Sequence, residues 1–479
     1  YLSGIIERTS LLPDFYSIED FVAHCSGRGI SDQLGDQFRL YDIHRRLEGE
    51  RARSIEEFFP YAAWMMSDFN EIDMYLIDQE QLFGYLSDAR AMALWNPDGR
   101  PLTDFQKRYL GFYRSLKDYY AGLNSMLEKQ NQYYQGMAFR SVAGRIEEIS
   151  ALWRWEKVIF AGFNALTPAE QKIIGTLLRT GKAAVFWDAD KYYTGQKEQE
   201  AGLFLRKHFR EMNQDAPLWV GDHFSEDKDI HVIGVPRNIG QVKYAGEIIQ
   251  KISRREENLD NTALVLADES LLIPLLSSIP GEAGKFNVTM GLALKNAPVF
   301  NLLDNILGMM QNAGRFMACR DKSRMAYYFR YIEKVLGHPW SVMLSGDEKA
   351  ILPVLDEIRT GNRIFIPASV ITKLLENNGA KVLAGLFPPT TIRVPEAISL
   401  LSQLILSLRE KMINLRKKGS YDYATELEYL FRFNKLLQRL DGIVRAFGTI
   451  SDLKALRMVF RQLSSQQRIP FRGEPLQGL

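Results

Sequence analysis

The sequence lacks the features that mark secreted, membrane-spanning and zinc-stabilised proteins. Only two cysteines, Cys25 and Cys319, occur in 479 residues, which excludes a disulfide framework and predicts reduced thiols. The six histidines have no paired ligand spacing with the cysteines, so a structural zinc site is disfavoured. No apolar run reaches the roughly 18 residues of a transmembrane helix, and no secretory signal is visible. These absences predict a cytoplasmic protein with no membrane partner.

An excess of one charge is also missing. The chain has 60 Lys and Arg residues against 58 Asp and Glu residues, for a net charge of +2. Binding to nucleic acid would therefore depend on local basic surfaces. A chain of 479 residues is too long to fold around a single hydrophobic core. Its contents of 46% apolar and 25% charged residues are ordinary for globular domains. Length and composition together predict roughly two to four domains.

One stretch has the strand–helix–strand pattern that builds parallel sheets. The apolar run KVIFAGF at 157–163 precedes a helix that begins near Thr167 and Pro168 and ends at Gly181. A second apolar run, KAAVFWDAD at 182–190, comes directly after it. Short links between such segments are typical of a βαβ unit.

A second set of segments repeats this order farther along the chain. DIHVIGVP at 229–236 predicts a strand, GQVKYAGEIIQKISRRE at 240–256 a helix, and NTALVLAD at 261–268 another strand. The stretches 61–150 and 296–462 have helical spacing of apolar residues instead. The alternation predicts an α/β protein with two parallel-sheet domains, each carrying a helical insertion.

The sequence contains no loop that would cradle ATP phosphates. Such a loop has Gly, four residues and then Gly-Lys-Ser/Thr, and it leads from a strand into a helix. The nearest match, GTLLRTGKA at 175–183, has five residues between its glycines, ends in Ala183 and leads from a helix into a strand. A restriction-type nuclease needs an Asp on a strand followed by Glu-x-Lys, and the sequence does not contain this combination in a suitable arrangement. The chain itself predicts neither ATP hydrolysis nor DNA cleavage.

Asp188 and Asp190 end the second apolar run, where open parallel sheets bind ligands. One interpretation is an acid pair that binds a metal ion or senses a nucleotide. The other is solvation of the strand end and capping of the segment after it, which the lack of a phosphate loop favours. A calcium loop is excluded because Tyr193 and Gln199 stand where Gly and Glu are required.

Two stretches mix basic and aromatic residues in the way that single-stranded nucleic acid requires, with cations along the backbone and rings under the bases. The candidate residues are Arg315, Arg320, Lys322, Arg324, Tyr327, Tyr328 and Arg330 in the first stretch, and Lys411, Arg416, Lys417 and Lys418 in the second. The competing interpretation is an amphipathic helix with its rings in the core and its cations in water. For either stretch taken alone, that second interpretation is favoured.

An ordered set of phrases carries more information than any one motif. The phrases are FFPYAAWMMSDFNEIDMYLID (58–78), VIFAGFNALTPAEQKII (158–174), FWDADKYY (186–193), EAGLFLRKHF (200–209), NTALVLADESLLIPLLSSIP (261–280), NVTMGLALKNAPVFNLLD (287–304) and IPFRGEPLQGL (469–479). Together they resemble the helicase-like region of AddB-type proteins, the helicase–nuclease subunits that process broken DNA ends. The likeness is greatest to large Bacteroidetes-type proteins with a C-terminal PD-(D/E)XK nuclease domain, and it covers essentially the whole chain.

The resemblance implies a UvrD-like helicase core, with two incomplete RecA-like parallel-sheet domains that each contain a large helical insertion. The implied divisions are a partial first RecA-like domain at 1–60, a helical insertion at 61–150, the rest of the first domain at 151–228, a partial second RecA-like domain at 229–295, a second helical insertion at 296–462 and a return to the second domain at 463–479.

The resemblance also implies site residues and partners. The positions similar to helicase motifs are Asp188, Asp190, Gln241, Lys243, Gly473 and Glu474. The implied partners are DNA, as a single strand or a duplex end, and an AddA-type helicase subunit. ATP and Mg²⁺ are expected only in the full-length protein, and no cofactor is expected in this stretch of it.

The two ends of the chain predict a piece of a longer protein. The sequence starts without Met at Tyr1, and it stops in RIPFRGEPLQGL, where Pro470, Gly473 and Pro475 predict a bend out of the second helical insertion. The nuclease domain of the family would lie after residue 479. We also expect the last residues to be weakly held.

Three functions remain open from the sequence. The first is a DNA-binding, helicase-like scaffold of a helicase–nuclease for double-strand-break repair and recombination, with a degenerate ATPase. The missing acidic pair after KVIFAGF favours this one. The second is an active ATP-dependent DNA helicase truncated of its phosphate loop. The third is a protein-interaction module that binds no nucleic acid.

Overall fold

A computed structural model of the chain describes residues 13–87, 103–212, 219–255, 259, 261–281, 288, 292–316, 325–346, 348–419, 423–448 and 450–469. These residues are mainly helical, with a few short strands in two-stranded sheets. The chain divides into two compact units, Tyr1–Ile230 and His231–Leu479. Within the described ranges, no helix is long and apolar enough to cross a lipid bilayer.

The first unit contains three parallel strand pairs in its described part, β1–β2, β3–β4 and β5–β6. Its strands are β1 (Gly29–Ile30), β2 (Gln132–Tyr133), β3 (Val158–Ala161), β4 (Ala183–Phe186), β5 (Asp188–Asp190) and β6 (Trp219–Gly221). Its helices are α1 (Ile18–Ser26), α2 (Gln33–Glu48), α3 (Ile55–Met74), α4 (Gln79–Ser87), α5 (Asp104–Lys129), α6 (Gln135–Ala151), α7 (Pro168–Arg179), α8 (Lys191–Gly195) and α9 (Leu203–Glu211).

Helix α1 begins and ends as its sequence predicts. The Ser17 side chain accepts a hydrogen bond from the backbone N–H of Asp20 at 3.0 Å. Gly27 ends the helix in the left-handed conformation, with φ of 66°, which glycine adopts without a steric penalty. The sequence SIEDFVAHCSG at 17–27 predicts a helix with these two caps, and the structure confirms it.

The predicted strand–helix–strand unit is confirmed in β3, α7 and β4. Val158 pairs with Ala183 in parallel register, and the pairing continues for four residues along each strand. Thr167 and Glu170 begin α7 with a reciprocal capping box, and Pro168 occupies the first turn. Local capping chemistry and strand composition thus agree with the tertiary pairing.

The helices before this unit pack around a buried carboxylate. Asp73, at the end of α3, is 0% exposed and accepts hydrogen bonds from Tyr134 and from Tyr120 Oη at 2.6 Å. Arg140 of α6 donates to the same carboxylate from Nε at 2.5 Å. Since an ion pair taken out of water needs further hydrogen bonds to offset desolvation, the two tyrosines complete this site. The carboxylate ties α3 to α5 and α6.

The start of the chain differs from the implied divisions. Residues 1–60 were expected in a sheet domain, but their described part is mostly helical. Helices α2 and α3 bury their apolar faces against each other, and the ring centroids of Phe38 and Phe59 lie 4.7 Å apart. Its strand β1 pairs with β2, which interrupts the 61–150 stretch that was expected to be helical throughout.

The second unit has its described strands in two antiparallel pairs, β7–β10 and β8–β9. These strands are β7 (Leu292–Ala293), β8 (Ala326–Tyr328), β9 (Phe365–Pro367) and β10 (Arg468–Ile469). Its helices are α10 (Asn238–Ser253), α11 (Leu272–Leu276), α12 (Pro298–Phe316), α13 (Phe329–Leu336), α14 (Pro339–Ser345), α15 (Leu352–Thr360), α16 (Ala368–Asn377), α17 (Lys381–Ala384), α18 (Val394–Lys417), α19 (Ala424–Phe447) and α20 (Leu453–Gln466).

The strands predicted at 229–236 and 261–268 were wrong, although the helix between them is present as α10. Both segments are irregular in the structure, and Val232 and Val265 are 94% and 88% exposed. A strand requires a neighbouring chain to accept and donate its backbone hydrogen bonds, and the described residues provide none at these segments. The described part of the second unit therefore does not form the predicted parallel sheet.

The two ends of the long helical block of the second unit lie side by side. Strand β7 precedes the block and pairs with β10, which lies after it, so that Leu292 is opposite Ile469 and Ala293 opposite Arg468. This arrangement is typical of a segment inserted into another structure. The described part of 296–462 is mainly helical, as predicted, but strands β8 and β9 pair within it. The stretches HPW (338–340), IPAS (366–369) and FPPTT (387–391) predict helix breaks within this block, and the structure has a break at or beside each.

Candidate nucleic-acid interface

Both oxygens of the Asp190 carboxylate accept hydrogen bonds from backbone N–H groups. Oδ1 accepts from the N–H of Tyr192 at 2.9 Å, and Oδ2 accepts from the N–H groups of His223 at 2.9 Å and Phe224 at 3.0 Å. The Tyr192 hydrogen bond, joined by those of Phe224 and His223, holds the pKa of Asp190 below its usual value. Asp190 therefore caps α8 and joins it to the loop after β6, in agreement with the capping interpretation.

Asp188, two residues earlier, is exposed at the start of β5. Groups of three or more His, Cys, Asp or Glu side chains arranged to hold a metal ion are absent from the described residues, including this strand end. The N-terminus of α7 lies after β3, and its first turn holds the Glu170 carboxylate, which accepts from the N–H of Thr167 at 2.7 Å. A carboxylate there repels a phosphate.

A buried histidine packs on Trp187, directly before Asp188. His208 of α9 is 0% exposed, and its ring stacks on Trp187 with 5.6 Å between centroids and an interplanar angle of 10°. Neither ring nitrogen has a hydrogen-bond partner of regular geometry in the described part of the chain. Burial lowers the pKa of His208, and the nearby Asn164 backbone opposes this change only in part. The imidazole is therefore neutral at pH 7.

Gln241 and Lys243 lie in the first two turns of α10, where both side chains are exposed. They belong to the second unit, whereas Asp188 and Asp190 belong to the first. Gly473 and Glu474 lie outside the described residues. Gln241 and Lys243 therefore lie two residues apart on one helix.

The first basic and aromatic stretch divides between core and surface. Tyr327 is 0% exposed and donates its hydroxyl to the carbonyl of Pro388 at 2.7 Å, so it belongs to the core and cannot stack on a base. Tyr328 is half-buried, and Arg330 is exposed. Of the remaining candidates, Arg320, Lys322 and Arg324 lie outside the described residues, as does the side chain of Arg315 on α12.

The second basic stretch forms the C-terminal end of α18. Lys417 and Lys418 are exposed, and neither has a carboxylate within 4.0 Å among the described residues. Arg416 is exposed beside them. Lys411, earlier in the same helix, is half-buried. Its Nζ lies near Gly346 at the C-terminal end of α14, where the helix dipole favours a positive charge. The end of α18 is thus a positively charged surface.

A group formed by α12 and α20 was not predicted from the sequence. Arg457 and Arg461 of α20 both bind the carboxylate of Asp304 on α12. The spacing of four residues predicts that the two arginines lie on one face of a helix. The sequence could not identify Asp304 as their partner, because it is separated from them by 153 and 157 residues.

Comparison with known proteins leaves the family of this chain open. No protein-family model matches the chain, and no curated protein matches it.

Proposed function

We propose that this chain is the DNA-binding, helicase-like scaffold of a helicase–nuclease of the AddB type, which acts in double-strand-break repair. The ordered set of sequence phrases and the parallel unit of β3, α7 and β4 support this proposal. In the proposal, the two units are RecA-like domains with helical insertions, and the partners are DNA and an AddA-type subunit.

The observation that carries the proposal is the positively charged end of α18. From Arg409 to Lys418 the sequence has five cations and one acid, Glu410. The last two cations, Lys417 and Lys418, are solvent-exposed without ion pairs in the described structure. Such a surface attracts a phosphate backbone mainly through release of condensed counterions. The affinity should therefore fall steeply as salt is raised.

A degenerate ATPase is part of the proposal. The α7 N-terminus is closed by its own capping box, and the Asp190 carboxylate is committed to three backbone N–H groups. Neither group is available to bind a nucleotide phosphate or a Mg²⁺ ion. The chain would therefore follow DNA rather than hydrolyse ATP.

The test is fluorescence anisotropy of labelled oligo-dT at several salt concentrations between about 50 and 200 mM. We expect a binding constant whose logarithm falls linearly with the logarithm of the salt concentration. Replacing Lys417 and Lys418 by Ala should reduce that slope by about 1.4, since each phosphate contact on a single strand contributes roughly 0.7.

The matched control is the double variant Lys129→Ala/Lys157→Ala, which removes the same charge from exposed positions of the first unit. It should leave the slope unchanged. If the unaltered protein does not bind at low salt, the proposal fails in favour of the protein-interaction module. The exposure of Val232 and Val265, at 94% and 88%, favours that second candidate.

A further inference from the structure

The carboxylate of Asp304 holds two arginine side chains at once. Arg457 donates to it from Nε and Nη2, both at 2.9 Å, and Arg461 donates from Nε at 2.6 Å and Nη2 at 2.7 Å. Each arginine therefore forms the paired contact that fits a planar guanidinium to a carboxylate. Asp304 lies on α12 and both arginines on α20, so the group also joins these two helices.

The group has an excess of positive charge. Burial by itself would raise the pKa of Asp304, but the hydrogen bonds and charges of Arg461 and Arg457 outweigh it and lower the pKa to about 2. The carboxylate is therefore ionised and neutralises one of two guanidinium groups. Asp304 and Tyr331 are the groups that raise the pKa of Arg461, and no second carboxylate of the described residues acts on it. One positive charge remains.

The two arginines differ in how much of each faces solvent. The side chain of Arg457 is 16% exposed, and that of Asp304 is 12% exposed, which suits a role in joining the helices. The side chain of Arg461 is 54% exposed. Its Nε and Nη2 donate to Asp304, which fixes the orientation of the guanidinium, and its Nη1 has no hydrogen-bond partner among the described residues. Such preorganisation lowers the entropic cost of binding an anion.

Tyr331 acts electrostatically on Arg461, and two further aromatic rings lie beside Tyr331 and Tyr328. Tyr331 of α13 accepts a hydrogen bond from Asn312 Nδ2 at 3.1 Å, and its ring centroid lies 6.3 Å from that of Tyr328. Tyr328 in turn lies 5.7 Å from Phe365. All three residues are half-buried, so each keeps part of its surface in solvent. Arg330, next to Tyr331 in the chain, is exposed.

We propose that Arg461, oriented by Asp304, binds a phosphodiester group of single-stranded DNA while Tyr331 and Tyr328 stack on the adjacent bases. The proposal rests on the proposed DNA-binding function and assigns residues to it. A single strand is specified because partly exposed rings can stack only on bases that are free of a complementary strand. Arg457 and Asp304 act as positioning residues.

The test measures anisotropy of labelled oligo-dT with Arg461→Ala and Tyr331→Leu, alongside thermal unfolding. Arg461→Ala leaves Arg457 paired with Asp304, so the unfolding temperature should stay close to that of the unaltered protein. The salt slope should fall by about 0.7, and Tyr331→Leu should weaken binding roughly 5- to 100-fold. Tyr331→Phe should restore the affinity that Tyr331→Leu loses, because it keeps the ring.

The control is Arg432→Ala, since Arg432 is paired with Glu428 at 2.7 Å and contributes no excess charge. If the unaltered protein binds oligo-dT and Arg461→Ala keeps the same slope and affinity, the arginine group only joins two helices and the inference is wrong. Equal loss of binding to blunt duplex and oligo-dT would overturn the stacking role. If the unaltered protein binds no DNA at all, the proposed function itself fails.

Discussion

His208 is the residue whose environment conflicts most with its chemistry. The ring is fully buried against Trp187, and both nitrogens lack regular hydrogen bonds in the described structure. In either neutral tautomer the ring N–H makes no hydrogen bond of regular geometry in the described structure, and a missing bond costs about 1–3 kcal/mol. Burial also lowers the pKa of the imidazole from 6.5. The folded state therefore resists protonation that the unfolded chain accepts.

Replacing His208 by Phe should stabilise the protein, because the stack on Trp187 is kept and the unsatisfied nitrogens are removed. The expected gain is about 1 kcal/mol near pH 7.5. The gain should grow as the pH falls below 6.5, because the unaltered protein loses stability there while its unfolded state takes up a proton. Urea unfolding between about pH 5 and 8 measures both effects. Parallel pH profiles for the two proteins would contradict this account.

Asp190 shows how one residue type serves two roles. A carboxylate at a strand end suits a metal site, but it also accepts backbone N–H groups well. The loop after β6 supplies two such groups to Asp190, from His223 and Phe224. Once these bonds form, the lone pairs that would bind a cation are largely used.

At the scale of elements, helix α6 depends on one close approach to α3. A Cβ on Gly136 would lie 2.7 Å from the carbonyl oxygen and 2.8 Å from the Cα of Asn70. The N–H of Gly136 also donates to Asn70 Oδ1 at 2.7 Å. Both atoms that would be struck belong to the backbone, which cannot move aside as a flexible side chain can. Only glycine allows this approach.

Gly136→Ala should therefore destabilise the protein by about 1–3 kcal/mol, the usual cost of overpacking. Gly144 in the same helix provides the control, because it is exposed and a Cβ there would meet nothing within 4 Å. Gly144→Ala should stabilise by roughly 0.5–1 kcal/mol, since alanine favours the helix. Denaturant unfolding measures the change in the free energy of unfolding of each variant. A loss of stability in both variants would contradict the steric explanation.

At the scale of the whole molecule, the chain divides into two compact units. The division falls between Ile230 and His231, within two residues of the boundary at 228 that the resemblance implied. Ile230, at this division, is 75% exposed. The DNA-contacting residues that we propose all lie in the second unit.

We expect the stretches 1–230 and 231–479 to fold when produced separately, and the whole chain to unfold in two thermal transitions. The second stretch should bind oligo-dT with the salt slope of the whole chain, because it contains the end of α18 and Arg461. Calorimetry and anisotropy check these outcomes. A single transition in the whole chain, with insoluble separate pieces, would show that the units stabilise each other.

The sequence by itself determined the elements whose formation depends on near neighbours. The caps of α1 at Ser17 and Gly27, the capping box of α7 and the parallel unit of β3, α7 and β4 were all predictable. In these cases, the interacting groups lie a few residues apart or in consecutive segments. Composition and spacing are then enough to identify them.

Only the tertiary structure decided the remaining features, because each depends on residues far apart in the chain. Tyr327 and Tyr328 are neighbours of one chemical type, yet only packing placed the first in the core and the second at the surface. The segment 229–236 has the composition of a strand but lacks a described partner to pair with. The pairing of Asp304 with Arg461 spans 157 residues, a separation at which local sequence carries no information about contact.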